Sequence, residues 1–119
     1  MPESFKNLIV WQRAIELTVE IYTFTSSFPD SERFGLTNQL RRAAVSIPSN
    51  IAEGYGRASR GEYIQFLGHA RGSSYEIETQ LTIARKLGLG NEKRLPKIEG
   101  ICDEMSRMLT AMALGLRQK

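Results

Sequence analysis

Apolar and polar positions along the chain repeat with the period of an α-helix, and no stretch shows the two-residue alternation of a strand. Four such stretches follow one another, separated by turn residues. The first, over about residues 8–28, carries two apolar rows: Leu8, Trp11, Ile15, Val19 and Tyr22, and Val10, Ala14, Leu17, Ile21, Phe24 and Phe28. Together they cover more of the helix than one packed neighbour needs. This helix is therefore expected to touch something on both sides, and another subunit is a candidate for the second contact. The second stretch, over residues 33–54, has the row Leu36, Leu40, Ala43, Ile47 and Ile51. Pro48 inside it removes one backbone donor and is expected to kink the helix, and Gly54-Tyr55-Gly56 is the expected stop.

The third stretch opens with Ser59-Arg60-Gly61-Glu62, the spacing of a capping box in which Ser59 and Glu62 satisfy each other's exposed amides. Its seam is Tyr63, Phe66, Ala70, Ser74, Ile77, Leu81 and Ala84, and Gly88 ends it. Small residues at Gly68, Ala70, Gly72, Ser73 and Ser74 predict a close approach by a neighbouring helix. The fourth stretch begins near Asn91 or shortly after, with Pro96 in its first turn, and carries Ile98, Ile101, Met105, Met108 and Met112 beside Leu95, Cys102, Leu109 and Leu116. Short connections make successive helices antiparallel. The fold class is thus all-α, an antiparallel up-down-up-down four-helix bundle, in one domain over residues 1–119.

Composition changes this picture little. With 41% hydrophobic and 24% charged residues the chain is an ordinary globular one. A single cysteine, Cys102, forms no internal disulfide, which suits the cytoplasm. The start, Met1-Pro2-Glu3-Ser4-Phe5-Lys6, lacks the pattern of a secretory signal, and no apolar run is long enough to span a membrane. Charge is more informative. Net charge is +3, yet the segment from Arg33 to Arg71 holds six arginines (Arg33, Arg41, Arg42, Arg57, Arg60, Arg71) against Glu53 and Glu62, a local +4, leaving −1 for the rest. Arginine suits bidentate contact with phosphate or carboxylate. The segment reads either as a solvated surface with internal ion pairs or as a polyanion-binding patch.

Catalytic chemistry finds no support in the residues. His69 is the only histidine, no Cys/His cluster exists to hold a metal, and the glycines at positions 54, 56 and 61 lack the spacing, the preceding strand and the Lys-Ser/Thr of a phosphate loop. One widespread class of all-helical ribonucleases places an arginine four to six residues before a histidine; here Arg60 is nine before His69. No catalytic residue, metal or cofactor is expected. On the second helix, however, Gln39, Arg42, Ser46, Asn50, Glu53 and Arg57 form a polar row at helical spacing. Short polar residues are poor helix fillers, so the row points to a partner or a polar network. The expected network is Arg42, Ser46, Asn50 and Glu53 with Arg71, Glu76 and Glu78 of the third helix, the arginines paired to the glutamates.

The segments Val10-Trp11-Gln12-Arg13-Ala14, Phe34-Gly35-Leu36, Gln39-Leu40-Arg41-Arg42-Ala43-Ala44, Ser46-Ile47-Pro48-Ser49-Asn50-Ile51-Ala52-Glu53-Gly54 and Glu62-Tyr63-Ile64-Gln65-Phe66-Leu67 resemble the 23S rRNA-intervening sequence protein family. Ala70-Arg71-Gly72-Ser73 and Glu76-Ile77-Glu78-Thr79-Gln80-Leu81 fit it as well. The resemblance implies a four-helix bundle that assembles into a ring-shaped homopentamer. It implies less about activity, although accessory proteins of diversity-generating retroelements resemble these bundles and bind nucleic acid through a basic surface. The expected function is accordingly a non-catalytic, oligomeric protein that binds RNA or DNA phosphates, with Arg41, Arg57 and Arg60 as contacts. The alternative is a homo-oligomeric scaffold that binds a partner protein without nucleic acid. Few aromatic residues are free for stacking, so low sequence specificity is expected.

Overall fold

A helix with an apolar face needs a neighbour to cover it, and four such helices cover one another by standing in a square. The computed structural model describes residues 4–119 and has this arrangement. Helices α1 (Ile9–Thr25), α2 (Leu36–Tyr55), α3 (Arg60–Leu87) and α4 (Leu95–Arg117) follow one another, with single 3-10 turns at Phe5–Asn7, Asp30–Glu32 and Glu92–Arg94. Met1, Pro2 and Glu3, which begin both the expected domain and the segment read as free of a secretory signal, lie outside the described residues. Helix α1 lies against α2 and α4, and α3 lies against the same two. Residue pairings run antiparallel at each contact: Arg13 with Glu104 and Glu20 with Lys97 between α1 and α4, Arg71 with Thr110 and Arg85 with Glu99 between α3 and α4. The bundle is a rod of 46 × 23 × 20 Å. No helix among the described residues is long and apolar enough to cross a membrane.

The core draws its largest buried side chains from all four helices: Leu17, Ile21 and Phe24; Leu40, Ile47 and Ile51; Leu67, Ile77 and Leu81; Leu95, Ile98 and Met105. The two apolar rows of α1 have different fates. Val10, Ala14, Leu17, Ile21 and Phe24 are buried, while Ile15, Val19 and Tyr22 of the other row are 38%, 59% and 43% exposed. Helix boundaries differ from the periodicity at two places. Helix α1 stops at Thr25, and Phe28 beyond it packs edge-on against Phe24 at 5.3 Å. Helix α2 starts at Leu36 because the Glu32 carboxylate accepts from the Leu36 amide (3.1 Å), leaving Arg33 and Phe34 in the turn before it. Helix α4 starts at Leu95, shortly after Asn91, which caps the short turn ahead of it.

The glycines meet expectation at the helix ends but not in the middle of α3. Helix α2 runs through Gly54 to Tyr55. The stop therefore falls inside Gly54-Tyr55-Gly56 as expected, with Gly56 as the cap; a Cβ at Gly54 would lie 2.7 Å from the Phe66 Cβ, so this glycine also serves close packing of α2 on α3. Gly88 does end α3, in the left-handed conformation at φ 69°. Of the small residues in mid-α3, Ala70, Ser73 and Ser74 are buried, but Gly68 and Gly72 face open space and bring no helix of this chain closer. The capping box is half formed. Ser59 Oγ accepts from the Glu62 amide at 3.1 Å, while the Glu62 carboxylate accepts from the Ser59 hydroxyl at 3.2 Å instead of from its amide.

Helix α2 continues through the buried Pro48 without interruption. A proline at residue 48 deprives the Ala44 carbonyl of its usual helical donor. The hydroxyl of Thr18 on α1 reaches that carbonyl at 3.1 Å while also lying 2.8 Å from Ala14 O in its own helix. The orphaned acceptor is thus served from the neighbouring helix. Thr18→Val should cost about 1–2 kcal/mol by leaving a buried carbonyl without a donor. Pro48→Ala supplies that donor from α2 itself, so the cost of Thr18→Val should shrink in its presence, as urea denaturation of the double-mutant cycle would measure. Equal costs in both backgrounds would mean that Thr18 does not serve Ala44.

Candidate nucleic-acid interface

The polar row of α2 faces outward along the groove between α2 and α3. Gln39, Arg42 and Ser46 of α2 and Ser73, Glu76 and Gln80 of α3 line its middle. Inside it, the hydroxyls of Ser46 and Ser73 meet across the helix contact, and Asn50 Nδ2 donates to Ser46 O at 2.7 Å. Gln80 is buried, and its Oε1 has no hydrogen-bond partner among the described residues.

The charged members of the expected network do not join it. Arg42 and Glu53 are both exposed. Glu53 pairs at 2.7 Å with Arg57, one helical turn further on, and not with Arg42. Arg71 donates to Thr110 Oγ1 on α4 at 3.2 Å rather than to Glu76 or Glu78. Glu78 is on the α4 side, where burial and the nearby carboxylates of Asp103 and Glu99 push its carboxyl up. Burial, helped by Glu78 and Glu99, likewise raises the Cys102 thiol to about 12, so it stays protonated at neutral pH. A network across α2 and α3 therefore exists, but it consists of serine and amide groups. The arginine spacing along α2 placed the charges on one face correctly; long side chains then reached solvent or the nearest carboxylate, at little cost.

The three arginines expected to contact phosphate fall into two places. Arg41 is held at the contact of α1 and α2, its Nε donating to Thr25 Oγ1 at 2.9 Å and its guanidinium lying 4.5 Å over the Tyr22 ring. Sixteen residues further on, about 24 Å along a helix, Arg57 and Arg60 stand together at the end of the bundle. The short turn from Gly56 to Ser59 brings them there. Arg57 lies 4.8 Å over the Phe66 ring and bridges Glu53 and, at 3.7 Å, Glu62. Arg60, in the first turn of α3, donates through Nη1 to the Lys119 carbonyl at 2.6 Å. Among the described residues no Asp or Glu side chain pairs with Arg60.

Between these arginines and the end of α4 opens a cleft of about 620 Å³. Leu8, Tyr63, Met112 and Leu116 give it apolar walls, and Lys119 adds a third cation. The rings of Tyr55 and Tyr63 meet at right angles with centroids 6.2 Å apart, and burial raises the Tyr63 phenol. The tyrosines were read only as helix and turn residues, and their meeting with Lys119 had no signal in the sequence, because α4 returns to this end only through the fold. His69 is exposed, with its ring edge-on to Phe66 at 5.7 Å.

A model of the family described as 23S rRNA-intervening sequence protein matches residues 6–111. A crystal structure from Bacteroides thetaiotaomicron VPI-5482, of a protein with unknown function from the S23 ribosomal protein family, shares the fold with a TM-score of 0.79. It is 23% identical, and the match covers 88% of this chain and 98% of that one. No curated protein matches the chain.

Because Glu53 sits in an exposed pair with Arg57, Glu53→Ala should lower Tm by no more than about 3 °C, in keeping with the few tenths of a kcal/mol such pairs contribute. A calorimetric scan showing a loss of about 10 °C or more would mean that Glu53 is buried in the assembled protein.

Proposed function

The chain belongs to the 23S rRNA-intervening sequence protein family, and on that premise we propose that it is a non-catalytic, oligomeric protein that binds RNA or DNA through phosphate contacts. The observation that carries this reading is the cationic end of the bundle, where Arg57, Arg60 and Lys119 line one cleft that, among the described residues, no acidic side chain lines. The guanidinium fork matches phosphate oxygens. The amino terminus of α3, capped by Ser59, opens at the same place and adds positive potential there. Arg60 and Lys119 are the first contacts. Arg57 joins them by exchanging a carboxylate for a phosphate. Arg41 contributes less, since Thr25 and Tyr22 already hold it.

Self-association is the second part of the proposal. Ile15, Val19 and Tyr22 of α1 form one exposed apolar row, over which only Arg41 reaches among the described residues, at Tyr22, and a face of that kind marks a protein contact. The partner assigned to it is a further copy of the chain, in a homopentamer, so that each cationic cleft is repeated around an axis and the combined field is stronger than that of one subunit. The same row is what favours the alternative reading, a scaffold that holds a different protein and no nucleic acid.

Binding to mixed-sequence RNA and DNA should weaken by about tenfold or more between 50 and 200 mM salt, the dependence for two or more neutralised phosphates. Arg57→Gln with Arg60→Gln should lower affinity at unchanged Tm, and adding Arg41→Gln should lower it only a little further. Absence of binding at 50 mM salt would remove this reading and leave the scaffold. Light scattering should give a mass near five chains of 13.4 kDa; a monomer at micromolar concentration would remove the oligomer.

A further inference from the structure

The cleft at the end of the bundle is larger and more apolar than phosphate contacts require. A volume of about 620 Å³ lies in the range of open clefts that hold a small molecule. Its walls come from the turn before α1 (Leu8), the start of α3 (Tyr63) and the last turns of α4 (Met112, Leu116). Its cations come from the turn between α2 and α3 (Arg57), the first residue of α3 (Arg60) and Lys119. A ligand matched to this lining has a flat apolar body joined to an anion. Tyr55 and Tyr63 meet at 90°, so a flat ring that stacks on one meets the edge of the other, both favourable for aromatic groups. The Tyr63 phenol, raised by burial, is neutral at physiological pH and does not repel an anion.

Resting on the reading that the protein binds nucleic acid, we propose that this cleft takes one unstacked nucleotide of a single strand, its base against Tyr63 and the apolar residues of α4 and its phosphate at Arg60 and Lys119. A base inside a duplex is stacked on both faces and paired at its edge, so it does not enter a concave site without being extruded. Duplex DNA or RNA then meets only the rim cations, whereas a single strand gains the base contact as well. The protein is thereby a single-strand binder with little preference among bases, since every base offers a face for stacking.

Gly115 provides the test. It lines the cleft, and a Cβ built there meets no atom within 4 Å, so Gly115→Leu fills the cleft with an apolar side chain at no change in charge and with a better helix former in α4. Fluorescence anisotropy at 50 mM salt compares a short labelled single strand with the same sequence as a duplex. Wild-type protein should bind the single strand about tenfold more tightly, and Gly115→Leu should bring that ratio close to one, with Gly115→Ala between them. A ratio near one in wild type, or a ratio that Gly115→Leu leaves intact, overturns the cleft assignment while phosphate binding stands. Absence of binding to either form overturns both. If Gly115→Leu lowers Tm, the Gly115→Ala ratio decides.

Discussion

Where α2 packs on α3 near its end, Gly54 has no side chain, and the Phe66 Cβ sits 2.7 Å from the place a Cβ at Gly54 would occupy. The close approach sets the geometry of that whole end. It brings Tyr55 and Tyr63 into edge contact, puts Phe66 beneath the Arg57 guanidinium, and leaves only a short turn between the two helices. Arg57 and Arg60 are consequently close neighbours on either side of one helix start. Any side chain at Gly54 would push α2 and α3 apart and separate them. The serine pair of Ser46 and Ser73, further along the same contact, holds the two helices in register where apolar residues would let them slide.

Helix α1 is tied to this pair by a different device. Pro48 deprives α2 of one hydrogen bond, and Thr18 repairs the deficit from outside. The repair works only if the face of α1 bearing Thr18 lies against α2, which in turn fixes which apolar row of α1 enters the core. Val10, Ala14, Leu17, Ile21 and Phe24 go inward; Ile15, Val19 and Tyr22 are left on the outside. One unmade backbone bond is thus linked to the surface from which self-association is proposed. On the opposite side, Arg13 reaches both Glu16 and Glu104, and the Arg13 guanidinium holds the Glu104 carboxyl below its usual range. This pairing ties α1 to α4 as Thr18 ties it to α2.

Charge is distributed by which helix faces share an end, not by chain segment. The arginine-rich stretch from Arg33 to Arg71 is contiguous in sequence but divides in space. Arg33 lies 5.4 Å over Phe34 in the turn before α2, Arg41 lies on Tyr22, Arg71 reaches α4, and Arg57 with Arg60 joins Lys119 from the far end of the chain. The acidic groups that raise Glu78 and Cys102 gather along the α3–α4 contact, away from the cleft. A local surplus of +4 therefore becomes a cationic end, an exposed Arg42 in the α2–α3 groove, and arginines engaged within the chain.

Four helices, their order, their antiparallel course and nearly all of the core were legible in the sequence, because an apolar side chain is buried or exposed according to its place on its own helix, and that place is written in the local spacing. The caps at Ser59 and Gly88 were legible for the same reason: each acts within its own turn. The family resemblance rested on contiguous strings and was equally local. Tertiary structure decided what depends on two helices at once. It chose between the two rows of α1, made Gly54 a point of close contact with α3, and gave the Ala44 carbonyl a donor from Thr18. It also drew Glu53 and Arg71 out of the expected network, to Arg57 and Thr110, since a long charged side chain pairs with the partner nearest its tip. The cleft was out of reach for the same cause. Leu8, Tyr63 and Leu116 are far apart along the chain, and only the antiparallel return of α4 brings its last turns beside the start of α3.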